Sequence, residues 1–174
     1  MPDQQEILKD KHILIVDDEP DILETLEEIL DMCLIDSAPN YETAKKFLEK
    51  NRYDVAVLDI MGVRGYDLLK LATSKGIPSL MLTAHALSPD NLIKSIKKGA
   101  SSYIPKDKIA DIGTYLLDII IEAEEETRES KWFQRLKPFF DKKFGPDWRE
   151  KDREFWDQFD RTFRVSKDEL GKIM

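Results

Sequence analysis

Residues 13–18 read ILIVDD, a short apolar run rich in β-branched residues that ends in two carboxylates, Asp17 and Asp18. Residues 55–59 read VAVLD and repeat the pattern, with Asp59 as the terminal carboxylate. Runs of this kind predict strands that are buried on both faces of a parallel sheet. Because the functional crevice of an open parallel sheet lies at the carboxyl ends of its strands, we expect the three carboxylates to converge there. Such a cluster is strongly repulsive unless a divalent cation lies among the carboxylates or one of them reacts.

The neighbouring sequence alternates strands with helices. Three further strands are predicted at residues 34–37, 78–82 and 101–104. Apolar residues at helical spacing, with caps such as Ser88 before Pro89, predict a helix after each strand. Five consecutive strand–helix units predict an α/β fold, a doubly wound five-stranded parallel sheet with helices on both faces.

The composition excludes several classes of function. The 174 residues carry a net charge of −8, with a pI near 4.9, which argues against nonspecific nucleic-acid binding. Cys33 is the single cysteine, so a disulfide framework and a thiolate metal site are excluded, and His12 and His85 are too few for an imidazole metal cluster. No stretch is long and apolar enough to span a bilayer, and the N-terminus lacks a signal-peptide pattern. We therefore expect a cytoplasmic protein without a membrane partner.

Aromatic residues concentrate at the C-terminal end of the chain. We predict two parts, an α/β domain at residues 11–123 and a short helical extension at residues 124–174. Within the extension, Phe155, Phe159 and Phe163 recur every four positions, on one helix face. Two interpretations stay open: the aromatics pack an elongated last helix and a small helical appendage onto the domain, or they expose a face for a partner or for dimerisation. With balanced charge and no evident helix-turn-helix, the extension is not expected to read DNA.

Two further polar residues are predicted at the same edge of the sheet. Thr83 ends the fourth strand and Lys106 follows the fifth. Taken singly, a polar residue after a strand is usually a cap, a turn residue or a solvated side chain, but five of them at the ends of four strands indicate one site. Carboxylate oxygens are ligands that Mg²⁺ prefers. A metal, a lysine and a hydroxyl beside Asp59 describe a phosphoryl-transfer site, in which Asp59 is the nucleophile that forms an acyl phosphate.

The motifs around these residues resemble those of the receiver domain of bacterial two-component response regulators. The matching segments are residues 16–20 (VDDEP), 58–60 (LDI), 82–85 (LTAH) and 103–107 (YIPKD). The resemblance spans roughly residues 11–123 and is specific as a set. It implies a flavodoxin-like fold and a signalling domain rather than an enzyme, with at most self-phosphorylation and autodephosphorylation.

The resemblance also implies which residues hold the metal and accept the phosphoryl group. Asp59 would accept a phosphoryl group from a histidine kinase or a phosphotransfer protein. Asp18 and Asp59 would ligate Mg²⁺ directly, and Asp17 would act through water or as a third ligand. The backbone carbonyl of Met61 would complete the set.

Three more residues receive roles from the same resemblance. Lys106 would pair with the phosphoryl oxygens, and Thr83 would donate a hydrogen bond to them. Tyr103 would then rotate inward into the space that Thr83 vacates, which is the switch of the family.

The loop after Asp59 departs from the family pattern. Residues 59–65 read DIMGVRG, which places Gly65 two residues closer to Asp59 than is usual and leaves out a Met-Pro pair. We therefore expect a shortened loop that affects the carbonyl ligand of the metal and the lifetime of the phosphoryl state.

Two other functions compete with the signalling interpretation. A haloacid-dehalogenase-type phosphatase also uses an aspartate nucleophile after a strand, but it needs a second Asp two positions on, where this chain has Met61. A degenerate receiver, acting as an unphosphorylated scaffold, is supported only by the shortened loop. The partners expected for the leading interpretation are a kinase or phosphotransfer protein and a second copy of the chain.

Overall fold

The computed structural model describes residues 3–126 and 130–161, and a five-stranded sheet forms its centre. The strands are His12–Val16 (β1), Leu34–Ala38 (β2), Val55–Leu58 (β3), Ser79–Thr83 (β4) and Ser102–Pro105 (β5). All neighbouring strands are parallel, in the order β2-β1-β3-β4-β5. With helices flanking this sheet, the predicted doubly wound α/β fold is confirmed.

The helices follow the strands as the apolar spacing predicts. They are Gln4–Leu8 (α1), Pro20–Ile29 (α2), Tyr41–Lys50 (α3), Gly65–Ser74 (α4), Pro89–Lys97 (α5), Ile112–Glu125 (α6), Lys131–Phe144 (α7) and residues 153–161 (α8), with 3₁₀ turns at Lys106–Asp111 and Glu150–Asp152. The side chain of Asn40 accepts from the backbone N–H of Thr43 at the start of α3, and Ser88 accepts from Asn91 at the start of α5. These caps satisfy N–H groups that have no partner inside the helix.

The strand order locates the functional edge of the sheet. Every residue of β3 and of β4 is buried, as expected for central strands covered on both faces. The chain places β2 on one side of β1 and β3 on the other. The strand order therefore reverses direction between β1 and β3, and the crevice of such a sheet opens there, beyond the carboxyl ends.

The short helix α1 was not predicted. Asp3 caps it by accepting a hydrogen bond from the backbone N–H of Gln5, and Leu8 at its end is completely buried. The carbonyl of Leu8 also accepts a 3.3 Å hydrogen bond from the Cys33 thiol, and α1 packs on α6. Asp3 followed by glutamines and Ile7-Leu8 is a recognisable capped helix start, but five residues carry too few apolar positions to show a period.

The last helix of the domain ends within the first two residues of the extension, so the elongated helix expected in the packing interpretation is wrong. Helix α6 ends at Glu125, and Glu126 is left-handed with φ 55°. Helix α7 begins at Lys131 after Ser130, which is also left-handed, with φ 50°. Residues in this conformation end a right-handed helix. The break lets α7 pack on α6 and β5 instead of extending away from the domain.

The extension packs through its aromatic side chains. Each described aromatic residue after α6 is buried or partly buried: Trp132, Phe133, Phe139, Phe140, Phe144, Trp148, Phe155, Trp156 and Phe159. They join one hydrophobic core with the sheet, and we call their contact with the domain the aromatic seam. The packing interpretation therefore holds for these residues, whereas Phe163 lies outside the described part of the chain. Within residues 3–126 and 130–161, no helix has the length and apolar character needed to cross a membrane.

Candidate functional site

The predicted site residues meet at one edge of the sheet. In the parallel register, the last residues of β1 and β3 are paired, and so are the last residues of β4 and β5. The residues that end or follow these four strands are Asp17, Asp59, Thr83 and Lys106. Each is almost completely buried. The fold therefore gathers at one place side chains that are far apart in the sequence.

Lys106 lies among three carboxylates. Its Nζ is 2.8 Å from Oδ2 of Asp17, 3.2 Å from Oε1 of Glu19 and 3.5 Å from Oδ2 of Asp59. The lysine side chain is only 7% exposed, so this ammonium has exchanged water for carboxylate oxygens. Burying a charge is tolerable only when it is paired in this way. An anion that reached Asp59 would meet a cation that is already in place.

Burial changes the protonation behaviour of the cluster. Burial, followed by the negative charge of Asp17, raises the pKa of Asp59 to about 6, against the opposing effect of Lys106. Burial likewise raises the pKa of Asp17, although the hydrogen bond with Lys106 opposes it. For Lys106, burial acts to lower the pKa, but the carboxylates of Asp17 and Asp59 outweigh it and the pKa is raised. The lysine therefore stays charged, whereas the carboxylates hold more negative charge than one ammonium can balance.

Glu19 is a further carboxylate of the site, and the sequence did not predict a role for it. Oxygens of Asp17, Asp18 and Glu19 all lie within 4.8 Å of one another. The backbone N–H of Glu19 donates to Oδ1 of Asp17, which turns the chain so that the glutamate reaches Lys106. Glu19 follows the two aspartates directly in sequence, and this adjacency was the available signal. We call Asp17, Asp18, Glu19, Asp59 and Lys106 the acidic edge.

The shortened loop approaches the site closely. Gly62 has φ 85°, and a Cβ atom built there would clash with the carboxylate of Asp18. A Cβ at Gly65 would clash with the backbone oxygen of Asp59. Two glycines thus let a loop of reduced length pass over the carboxylates. The side chain of Met61 is exposed, and a ligand role for its carbonyl stays a prediction.

Thr83 and Tyr103 are connected through the loop between β4 and α5. The Thr83 hydroxyl oxygen accepts from the backbone N–H of Ala86 at 3.1 Å. The Tyr103 hydroxyl donates to the carbonyl of Ala86 at 2.7 Å and accepts from the N–H of Ser88 at 3.2 Å. Tyr103 is completely buried, and its ring lies beside that of Phe140 in the extension.

A parallel five-stranded sheet with carboxylates at two strand ends, and a threonine and a lysine at two others, defines the receiver class of signalling domain. The family model of the response regulator receiver domain matches residues 13–116. The chain belongs to this family, and the family resemblance drawn from the sequence is confirmed. It is therefore a response regulator receiver domain of two-component signalling.

Known relatives agree with this assignment. The chain is 39% identical over 98 residues to the heme response regulator HssR of Staphylococcus aureus (strain Newman), an alignment that covers 53% of this chain and 43% of that protein. The chain thus spans less than half the length of the curated relatives it matches. A CheY-like response regulator receiver domain protein from Methanospirillum hungatei JF-1 superimposes with a TM-score of 0.62 at 27% identity, covering 68% of this chain and 99% of that one. A receiver domain protein from Clostridium thermocellum gives 0.58 at 25% identity, with coverages of 67% and 99%.

Proposed function

We propose that this chain is a response regulator in which Asp59 accepts a phosphoryl group, in a Mg²⁺-dependent reaction, from a histidine kinase or a phosphotransfer protein. The observation that supports this most directly is the setting of Asp59 at the end of β3. Its Oδ2 lies 3.5 Å from the ammonium of Lys106, which is itself fixed by Asp17. A carboxylate nucleophile beside a positioned cation is what phosphoryl transfer requires, because positioning and charge neutralisation supply most of the catalysis.

The proposed transfer uses the side chains of the acidic edge. A carboxylate oxygen of Asp59 attacks the phosphorus of a phosphohistidine, so that an O–P bond forms and the P–N bond breaks. The electron pair of the broken bond returns to the imidazole nitrogen of the donor. Lys106 then donates to a phosphoryl oxygen, exchanging a carboxylate partner for the arriving anion.

The donor set of the acidic edge fits a magnesium ion. Asp17, Asp18 and Asp59 would hold it, with the backbone carbonyl of Met61 as a further ligand, and Glu19 places another oxygen beside the first two. These are hard oxygen ligands, and a bound cation would offset the burial that raises the pKa values of Asp17 and Asp59. When bound, the metal would neutralise charge on the phosphoryl oxygens.

Thr83 and Tyr103 are proposed as the switch. Because the Thr83 hydroxyl oxygen accepts from Ala86, its own proton remains to donate to a phosphoryl oxygen on Asp59. Tyr103 holds the carbonyl of the same Ala86. A change at Asp59 therefore reaches Tyr103 through one loop residue.

We propose that residues 11–123 form the receiver and residues 124–174 its extension, in a cytoplasmic protein. The protein would have no enzymatic activity beyond self-phosphorylation and autodephosphorylation, and no membrane or nucleic-acid partner. The proposed partners are the phosphoryl donor and a second copy of the chain.

The test is phosphorylation of the full chain with acetyl phosphate, followed by intact-mass analysis with and without Mg²⁺. We expect wild type to gain one phosphoryl group only when Mg²⁺ is present, and Asp59→Asn to gain none. Asp107→Asn is the matched control, because Asp107 is an exposed aspartate next to Lys106, and it should behave as wild type.

Three outcomes would contradict the proposal. Equal labelling of Asp59→Asn would place the acceptor elsewhere. The absence of any Mg²⁺-dependent adduct in wild type would favour the unphosphorylated scaffold. Steady turnover of a phosphomonoester would favour the phosphatase.

A further inference from the structure

The extension covers one continuous face of the receiver, made by α5, β5 and α6. Helix α7 packs on β5, where the ring centroid of Phe140 lies 6.2 Å from that of Tyr103. The ammonium of Lys97, at the end of α5, lies 5.6 Å from the ring centroid of Phe155. Three receiver elements that are consecutive along the chain thus contact residues 131–161.

An ion pair whose carboxylate is buried fixes the extension to α6. Asp118 is only 7% exposed, although it lies on a helix whose neighbouring positions are apolar. Arg135 of α7 binds it with two hydrogen bonds, from Nε at 2.8 Å and from Nη2 at 3.2 Å. Without the guanidinium, the buried charge of Asp118 would be uncompensated, so this position suits a receiver whose extension is docked. The receiver sequence is therefore adapted to a docked extension.

The packing is close where the extension meets the switch residue. Tyr103 and Phe140 are both completely buried. A cavity of about 390 Å³ does lie within the seam, among residues such as Ile96, Ile119 and Trp132, but neither Tyr103 nor Phe140 lines it. To leave its position, Tyr103 would have to break its hydrogen bonds to the β4–α5 loop and also displace Phe140.

We propose that the extension is the receiver's own output partner, and that docking of Phe140 on Tyr103 holds the β4–α5 loop in the arrangement that a phosphoryl group on Asp59 favours. This inference rests on the proposed function. In the structure, the Ala86 backbone already links the two hydroxyl groups: its N–H donates to the Thr83 oxygen, which leaves the Thr83 proton available to donate, and its carbonyl accepts from Tyr103. Phosphorylation therefore tightens docking of residues 131–161 and does not release them.

Such a coupling must act in both directions. If phosphorylation strengthens docking, docking strengthens binding of a phosphoryl group by the same factor. Couplings between two sites of one protein start at about fivefold, and we expect an effect of about this size. A conservative change at Phe140, which is not part of the acidic edge, should therefore weaken ligand binding at Asp59.

The first test is hydrogen–deuterium exchange of the full wild-type chain with and without beryllofluoride and Mg²⁺. Bound beryllofluoride is detected independently by ¹⁹F NMR. We expect exchange within α7 to slow by about fivefold when the ligand is bound. Asp59→Asn should show neither the bound fluoride signal nor the slower exchange.

The second test compares two Phe→Leu variants by ¹⁹F NMR titration. Phe140→Leu should weaken beryllofluoride binding by about fivefold. Phe159→Leu is the matched control, because the ring of Phe159 contacts Phe133, Phe155 and Trp156 within the extension. Its affinity should stay within about twofold of wild type, below the smallest typical coupling.

The outcomes separate this inference from the proposed function. If beryllofluoride binds wild type while exchange in α7 stays unchanged or becomes faster, the inference is wrong and the proposed function stands. Equal affinities of the two leucine variants would also overturn it. The absence of any bound fluoride signal in wild type would overturn both.

Discussion

The acidic edge and the aromatic seam are both buried, yet burial has opposite consequences in the two regions. At the acidic edge, the carboxylates of Asp17 and Asp59 lose water and share one ammonium, and burial raises their pKa values. In the aromatic seam, Trp156 and Phe140 are removed from water by packing against other aromatic rings, which stabilises the folded state. Within one core, burial of the acidic edge therefore lowers the free energy of unfolding, whereas burial of the aromatic seam raises it.

The free energies of the two kinds of burial can be compared. A pKa near 6 for Asp59, against an ordinary value of 3.8, corresponds to a cost of about 3 kcal/mol when the group is charged. A buried aromatic side chain removes about 200 Å² from water, worth about 5 kcal/mol before its ordering entropy. One well-packed aromatic residue such as Phe140 therefore outweighs the charged Asp59.

The largest effect on stability is expected at the ion pair between Arg135 and Asp118. Arg135→Ala leaves the buried Asp118 without a cation and should lower the free energy of unfolding by about 3 kcal/mol. This is the lower end for a buried pair, because the Arg135 side chain is 45% exposed. Urea unfolding at pH 7.5 measures the change.

Two variants control that measurement. Lys137→Ala removes an exposed i,i+4 pair with Asp141 in the same helix and should cost less than about 1 kcal/mol. Adding Asp118→Asn to Arg135→Ala should restore part of the loss, since the uncompensated charge is removed. Equal effects of Arg135→Ala and Lys137→Ala would show that burial of Asp118 does not matter.

At the acidic edge, removing the buried charge of Asp59 should stabilise the protein. Asp59→Asn should raise the free energy of unfolding by about 2 kcal/mol at pH 7.5 without Mg²⁺. The folded state holds the Asp59 proton more tightly than the unfolded state, so wild-type stability falls as pH rises from about 4 to about 6. The advantage of the variant should therefore vanish near pH 4 and be complete above pH 6.

Urea unfolding across this pH range checks the prediction. Asp107→Asn, at an exposed position, should show no such growth of stability with pH. A constant difference between Asp59→Asn and wild type from pH 4 to pH 7.5 would contradict a buried, titrating Asp59.

The smallest effect is expected at the shortened loop. Gly62→Ala forces the carboxylate of Asp18 to move and should weaken Mg²⁺ binding about tenfold, measured by calorimetric titration. Gly76→Ala is the matched control, since Gly76 has a similar φ of 74° but open space around its Cα. It carries the same backbone strain and should leave Mg²⁺ affinity unchanged. Equal losses in both variants would assign the effect to strain alone.

The sequence predicts the sheet and the strand-end side chains well. An apolar run such as residues 55–58, followed by Asp59, is recognised from local composition, so the strand can be inferred. The geometry of parallel sheets then places Asp59 at the functional edge. The family motifs then assign roles to Lys106 and Thr83. These assignments need no knowledge of which helix contacts which.

The sequence does not predict contacts that depend on a turn or on a distant partner. Glu19 reaches Lys106 because its own backbone bonds Asp17, a local geometry that composition does not specify. In the sequence, Asp118 is visible as a charge within an apolar stripe. Its partner, Arg135, is identified only by the position of α7 in the structure. The aromatic spacing indicates a buried face without indicating the receiver surface that covers it.

All three tryptophans of the chain lie in the extension: Trp132, Trp148 and Trp156. Each is nearly buried, and the indole N–H of Trp148 donates to the carboxylate of Asp141. The receiver, by contrast, contributes no indole, so tryptophan emission from the native protein comes from the extension alone. The wavelength and polarisation of that emission thus report on the environment of the extension in solution, without an attached dye and without altering a single residue.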